Sequence, residues 1–161
     1  MSEHIFRHND PDSAHSNTIT LHDCTANHIE CFEAILRFTL PNGFWITQNH
    51  EANPFFKTIR TDAAVVDFRI KDPNDITVRV LTRHRFRKTT VEDWEISRLL
   101  QTVNSGSASL EFLTQYKSNY EQLWHCVLHS DQKPYYRECL LYLPEAKATY
   151  CWNELRPEYE W

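Results

Sequence analysis

The sequence predicts a mainly β domain of the α+β class, in which antiparallel sheets form a sandwich or an open barrel of about eight strands closed by one helix. Three observations carry this. Apolar residues alternate with polar ones at Val66, Phe68 and Ile70 and again at Ile76, Val78 and Val80, the period of a half-buried strand. Toward the C-terminus, segments separated by short turns recur at a spacing of about ten residues. Only one stretch, near residues 91–104, breaks this rhythm with a helical stripe.

Along the chain, residues 1–17 read as a flexible polar arm, 18–153 as a single globular domain and 154–161 as a C-terminal tail with docking potential. Thr18 to Cys24 alternates as a strand, and a second strand from His28 runs on through Leu36, Phe38 and Leu40. Pro41-Asn42-Gly43 supplies a turn, because proline presets one φ and glycine accepts the left-handed one. Phe44 to Thr47 is expected to return antiparallel to Arg37 through Leu40, and Gln48 to Lys57 reads as a loop pinned by Phe55 and Phe56. Folding about Pro73 pairs the next two strands as a hairpin and sets Asp67 opposite Arg79.

The helix is predicted from Ile96, Leu99, Leu100 and Val103, spaced i, i+3, i+4 and i+7. Thr89 or Thr90 is the expected cap, Glu92, Asp93 and Glu95 suit the positive end of its dipole, and Gly106 follows its last turn. Four strands follow as a meander: Ser109 to Lys117, Glu121 to His129, Tyr135 to Leu143 and Ala146 to Trp152.

Composition narrows function by exclusion. With only Gly43 and Gly106, the chain holds neither a glycine-rich phosphate loop nor a dinucleotide fingerprint. A net charge of −5 disfavours a general nucleic-acid binder. The first residues lack the apolar region of a signal peptide, and no run nears the roughly 18 apolar residues of a membrane span. A cytoplasmic protein with no membrane partner is therefore expected. Cys24, Cys31, Cys126, Cys139 and Cys151 are odd in number and read as free thiols, with no disulfide and no cofactor expected.

The weak metal-ligand candidates are His22, Cys24, His28 and Cys31, which crowd within ten residues, and His125 with His129, which share a strand face. Neither group has the tight Cys-x-x-Cys turn of a recognised zinc site, and Cys126 falls on the face opposite the two histidines, so ordinary strand packing accounts for them more simply. No cysteine carries a nucleophile motif, and Asp62 with Asp67 is only a generic carboxylate pair. The principal lead is a basic segment: Arg79, Arg83, Arg85 and Arg87 share one face of an extended chain, with His84, Phe86 and Lys88 interleaved. Trp45, Tyr159 and Trp161 are the aromatic residues expected at a contact surface.

These features predict a non-enzymatic interaction or assembly module that binds another protein or a second copy of itself. The alternatives are an enzyme with a small-ligand or metal site in a barrel mouth, and a nucleic-acid binder using the arginine ridge.

Overall fold

A computed structural model describes residues 5–9, 18–118 and 120–161. Its strands are β1 (Phe6–Asn9), β2 (Ile19–Thr20), β3 (Cys24–Ala26), β4 (His28–Phe32), β5 (Ile35–Leu40), β6 (Trp45–Ile46), β7 (Ile59–Thr61) and β8 (Ala64–Arg69). After a short 3-10 turn at Pro73–Asp75 come β9 (Thr77–His84), β10 (Arg87–Trp94) and the helix α1 (Ile96–Asn104). The chain ends with β11 (Ser109–Lys117), β12 (Glu121–His129), β13 (Tyr136–Pro144), β14 (Lys147–Trp152) and β15 (Leu155–Glu160).

The fold is mostly β, as the alternation predicts, and every strand pairing is antiparallel. A five-stranded sheet in the order β1-β14-β8-β5-β4 faces a six-stranded sheet in the order β10-β9-β13-β12-β11-β3. A smaller sheet, β15-β7-β6-β2, lies beside them, and no barrel closes. The two large sheets meet through edge-to-face rings: Phe38 touches Phe68 and Phe112, and Trp124 touches both Phe68 and Phe112. Buried aliphatic residues on both inner faces complete one continuous core.

Three differences from the sequence reading share a cause: alternation reports which face a residue occupies, not which strand lies beside it. The strands around Val66 and Val78 do not form a hairpin but belong to opposite sheets, lining the same core from both sides. Asp67 therefore pairs with Arg37, and Arg79 with Asp93. The four C-terminal strands lie where expected, but only β11, β12 and β13 are successive neighbours, since β14 crosses to the other sheet. That crossing occurs at Glu145, which takes a positive φ and donates its N–H to the Tyr120 carbonyl. The buried Gln122 amide secures the same corner by donating to the Ala146 carbonyl.

The helix starts later than predicted. Its first residue is Ile96, its N-cap Glu95 makes no side-chain capping bond, and residues 87–94 are strand. Thr89 and Thr90 thus cap nothing, whereas the apolar stripe holds: Leu99 and Val103 are buried and Ile96 and Leu100 pack against the core. At the other end Asn104 bonds both backbone groups of Ile29, accepting its N–H at 2.8 Å and donating to its carbonyl at 2.8 Å. One side chain thereby imitates a neighbouring strand on the otherwise open edge of β4.

Two further expectations are corrected. Phe56 is fully exposed and Phe55 37% exposed; the buried Asn53 organises the 48–57 loop instead, donating to the carbonyls of Ile46, Thr47 and Lys57. Residues 155–160, predicted to lie in the tail, form β15 against β7. Of the predicted N-terminal arm, Phe6–Asn9 pairs with β14, and residues 1–4 and 10–17 lie outside the described residues.

Candidate interaction surface

The strands β9 and β10 form a hairpin whose tip is Arg85-Phe86. Neither tip residue takes a positive φ, so the turn does not match the right-handed strand twist as a mirror-image turn would. The mismatch is absorbed by a register shift between Arg87 and Thr90, after which Thr90 to Trp94 pair regularly with Thr82 to Val78. β9 buries Val78, Val80 and Thr82 and turns Thr77, Arg79 and Arg83 outward. β10 buries only Trp94; its seven preceding residues, Arg87 to Asp93, are all exposed.

The arginines predicted to share one ridge are divided by this turn. Arg79 lies on the outer face of the sheet and forms a two-pronged bond with Asp93, at 2.7 and 3.0 Å. That bond raises the Arg79 pKa and holds the Asp93 carboxyl below its usual value. Arg83, on the same face, meets Glu138 at 2.6 Å, and His125 approaches the other oxygen of that carboxylate at 3.5 Å. Arg85 sits in the turn over the ring of Phe86, which is 88% exposed. Arg87 begins the next strand and, with Lys88, has no ion-pair partner among the described residues.

The base of the hairpin is clamped to the body. The Trp94 ring is met by the guanidinium groups of Arg98, at 4.1 Å, and Arg137, at 5.0 Å. Burial and the neighbouring Arg98 charge lower the Arg137 pKa. Arg98 also approaches Glu92 at 3.6 Å. The hairpin is therefore anchored at one end and exposed along its free edge.

The aromatic candidates gather around the small sheet. Trp45 is half buried rather than outward and free, covered by Arg60 at 4.8 Å and by the Trp161 ring at 5.6 Å. Trp161 also stacks on His22, while Tyr159 stays 58% exposed beside Arg60, Asp62 and Arg156. Asp62 is structural here, accepting the backbone N–H groups of Asn153 and Glu154.

The metal-ligand candidates are dispersed. His22 faces Trp161 and the Leu113 carbonyl, whereas Cys24 points into the core, where burial pushes its thiol up to about 12. His28 is exposed on β4, and Cys31 is half buried on the same strand. His125 and His129 do share the outer face of β12, but each meets its own carboxylate, Glu138 at 3.5 Å and Glu111 at 2.5 Å. Among the described residues, no three of His, Cys, Asp and Glu gather where one ion could be held. Cys126 lies directly opposite Cys139 in the core, and burial raises both thiols.

Because no barrel closes, the mouth expected to hold a small-ligand site has no counterpart. Clefts of about 510, 480 and 410 Å³ open instead on the surface, the first beside Gly106, His129 and Tyr135. No helix among the described residues is long and apolar enough to cross a membrane.

Sequence reasoning missed β10, having placed residues 91–94 in the helix, Thr89 or Thr90 at its cap and Arg87 at the end of the preceding strand. The β-branched run Thr89-Thr90-Val91 was the available signal for a strand. It also missed His50, which is buried between His8 and Trp152, accepts the Ala52 N–H at Nδ1 and is held toward its neutral form by burial. Comparison with protein families, with curated proteins and with solved structures finds no match to this chain.

Proposed function

We propose that this chain is a protein-interaction module that binds through the hairpin of β9 and β10, using the free edge of β10 and the basic tip around Phe86. The observation carrying this reading is a long edge strand exposed over seven consecutive residues. Edge strands present unpaired N–H and C=O groups, and an added strand satisfies them while side chains on either face supply selectivity. An aromatic ring held in water at the tip adds apolar area to such a contact.

The test compares wild type with the triple variant R83A/R85A/R87A as immobilised bait in a protein extract. Proteins retained by the wild type are expected to be lost by the variant, while its stability changes by less than about 0.5 kcal/mol, since these side chains lie on the surface. Equal retention by both overturns the reading.

The group Arg83, Arg85, Arg87 and Lys88 around an exposed ring also suits a polyanion. Oligonucleotide binding that falls steeply with added salt would transfer the hairpin to that second reading.

A further inference from the structure

We infer that β1 is an acid-released clasp: protonation of His50 frees Phe6–Asn9 from β14 and opens that edge of the five-stranded sheet. β1 is the outermost strand there, and β14 is bonded to β8 on its other side. The clasp lies on the sheet opposite the β9–β10 hairpin.

The surroundings of His50 suit a neutral ring. It is 5% exposed, and its ring meets those of Trp152 at 5.8 Å and His8 at 4.6 Å. Its Nδ1 accepts the Ala52 N–H at 3.0 Å, which places the proton of the neutral ring on Nε2. Nε2 is itself buried and has no hydrogen-bond partner among the described residues. A second proton, on Nδ1, would set two N–H groups against each other at Ala52 and leave a buried imidazolium with no acceptor.

Among the described residues, the titratable groups facing this ring are His8, from β1, and Glu51, from its own loop. Trp152, from β14, carries no charge. Burial and His8 lower the His50 pKa, and the exposed Glu51 offsets them only in part. Above the ordinary histidine value of about 6.5, the ring is neutral whether β1 is docked or released, and the clasp keeps its full stability. As pH falls below that value, the released state takes up the proton first, so docking weakens.

β1 is the element that yields most easily. Three of its four residues are exposed, and none belongs to the continuous core. Besides its ladder to β14 it is held by the Phe6 ring stacked on Trp152 at 5.4 Å, by the His8–His50 contact and by the Thr149 hydroxyl donating to Asn9. His50 is fixed more firmly in its loop, its N–H donating to the Thr47 carbonyl and its carbonyl accepting the Asn53 N–H. Local opening therefore begins at β1. Once it is released, the N–H and C=O groups of β14 that faced it are free to receive another strand.

The experiment measures amide exchange of Phe6–Asn9 at about pH 7.5 and about pH 5.5, corrected for intrinsic rates, with β12 as internal reference. One unit below the ordinary histidine value, proton uptake by the released state shifts the opening equilibrium by about tenfold. Wild-type protection of β1 is expected to fall by that factor at the lower pH, while β12 is unchanged. H50N keeps an acceptor for the Ala52 N–H and H50F keeps a ring against Trp152, but neither side chain takes up a proton. In each variant that retains β12 protection, β1 protection is expected to be equal at the two pH values. Wild-type β1 protection that does not change with pH, or a loss in either variant as large as in wild type, overturns the clasp.

Discussion

Replacing Phe112 by alanine is expected to lower stability by about 3–5 kcal/mol, measured by denaturant unfolding. Phe112 is fully buried on β11 and stands at the junction of the two large sheets. Its ring lies 5.2 Å from Phe38 of the facing sheet and 5.2 Å from Trp124 of its own, both edge to face. Truncation removes buried apolar area and leaves a cavity that the surrounding strands cannot close, because their backbones are fixed by hydrogen-bonded neighbours on both sides. A loss below about 1 kcal/mol would mean that the two sheets do not meet at this ring.

Replacing Gly43 by alanine is expected to cost roughly 3 kcal/mol or more, by the same measurement. Gly43 has φ of +68°, and an added Cβ would collide with the Thr61 hydroxyl and with the carbonyls of Thr61 and Asp62. Those atoms cannot retreat easily, since Thr61 accepts the Phe44 N–H at 3.1 Å and donates to the Asp62 carbonyl at 2.9 Å. Gly106 supplies the control. It also has a positive φ, +76°, but its Cβ direction is open, so alanine there is expected to cost only the backbone term of about 1–2 kcal/mol. Equal costs at the two sites would contradict the close approach at Gly43.

Both residues show how unevenly the fold was legible. The Pro41-Asn42-Gly43 turn is legible from its residue types, but the chain after it does not return along Arg37 to Leu40: Trp45 and Ile46 pair with β7 and β2, and the contact of Gly43 with Thr61 joins positions that local chemistry does not connect. The stripe Ile96, Leu99, Leu100 and Val103 identified the helix, because a 3.6-residue period needs no information from distant segments. Its start was misplaced because acidic residues and threonines before the stripe resemble a helix N-terminus, while the same residues here decorate an exposed strand. Strand partners were the least legible feature. Asp67 was matched to Arg79 through a plausible turn, whereas each charge found its partner across a ladder within its own sheet.

The candidate surface was half legible. Its basic residues were read as a group, but their division between β9, the tip and β10 depends on where the chain reverses, and no glycine or asparagine marks that turn.

Amide hydrogen exchange of residues 87–94, compared with that of β12, tests the central claim, an open binding edge at β10, most directly. If β10 is an open edge, about every second amide along it exchanges fast while the amides of β12, paired on both sides, stay protected. Protection along β10 as uniform and strong as that of β12 would contradict the open edge.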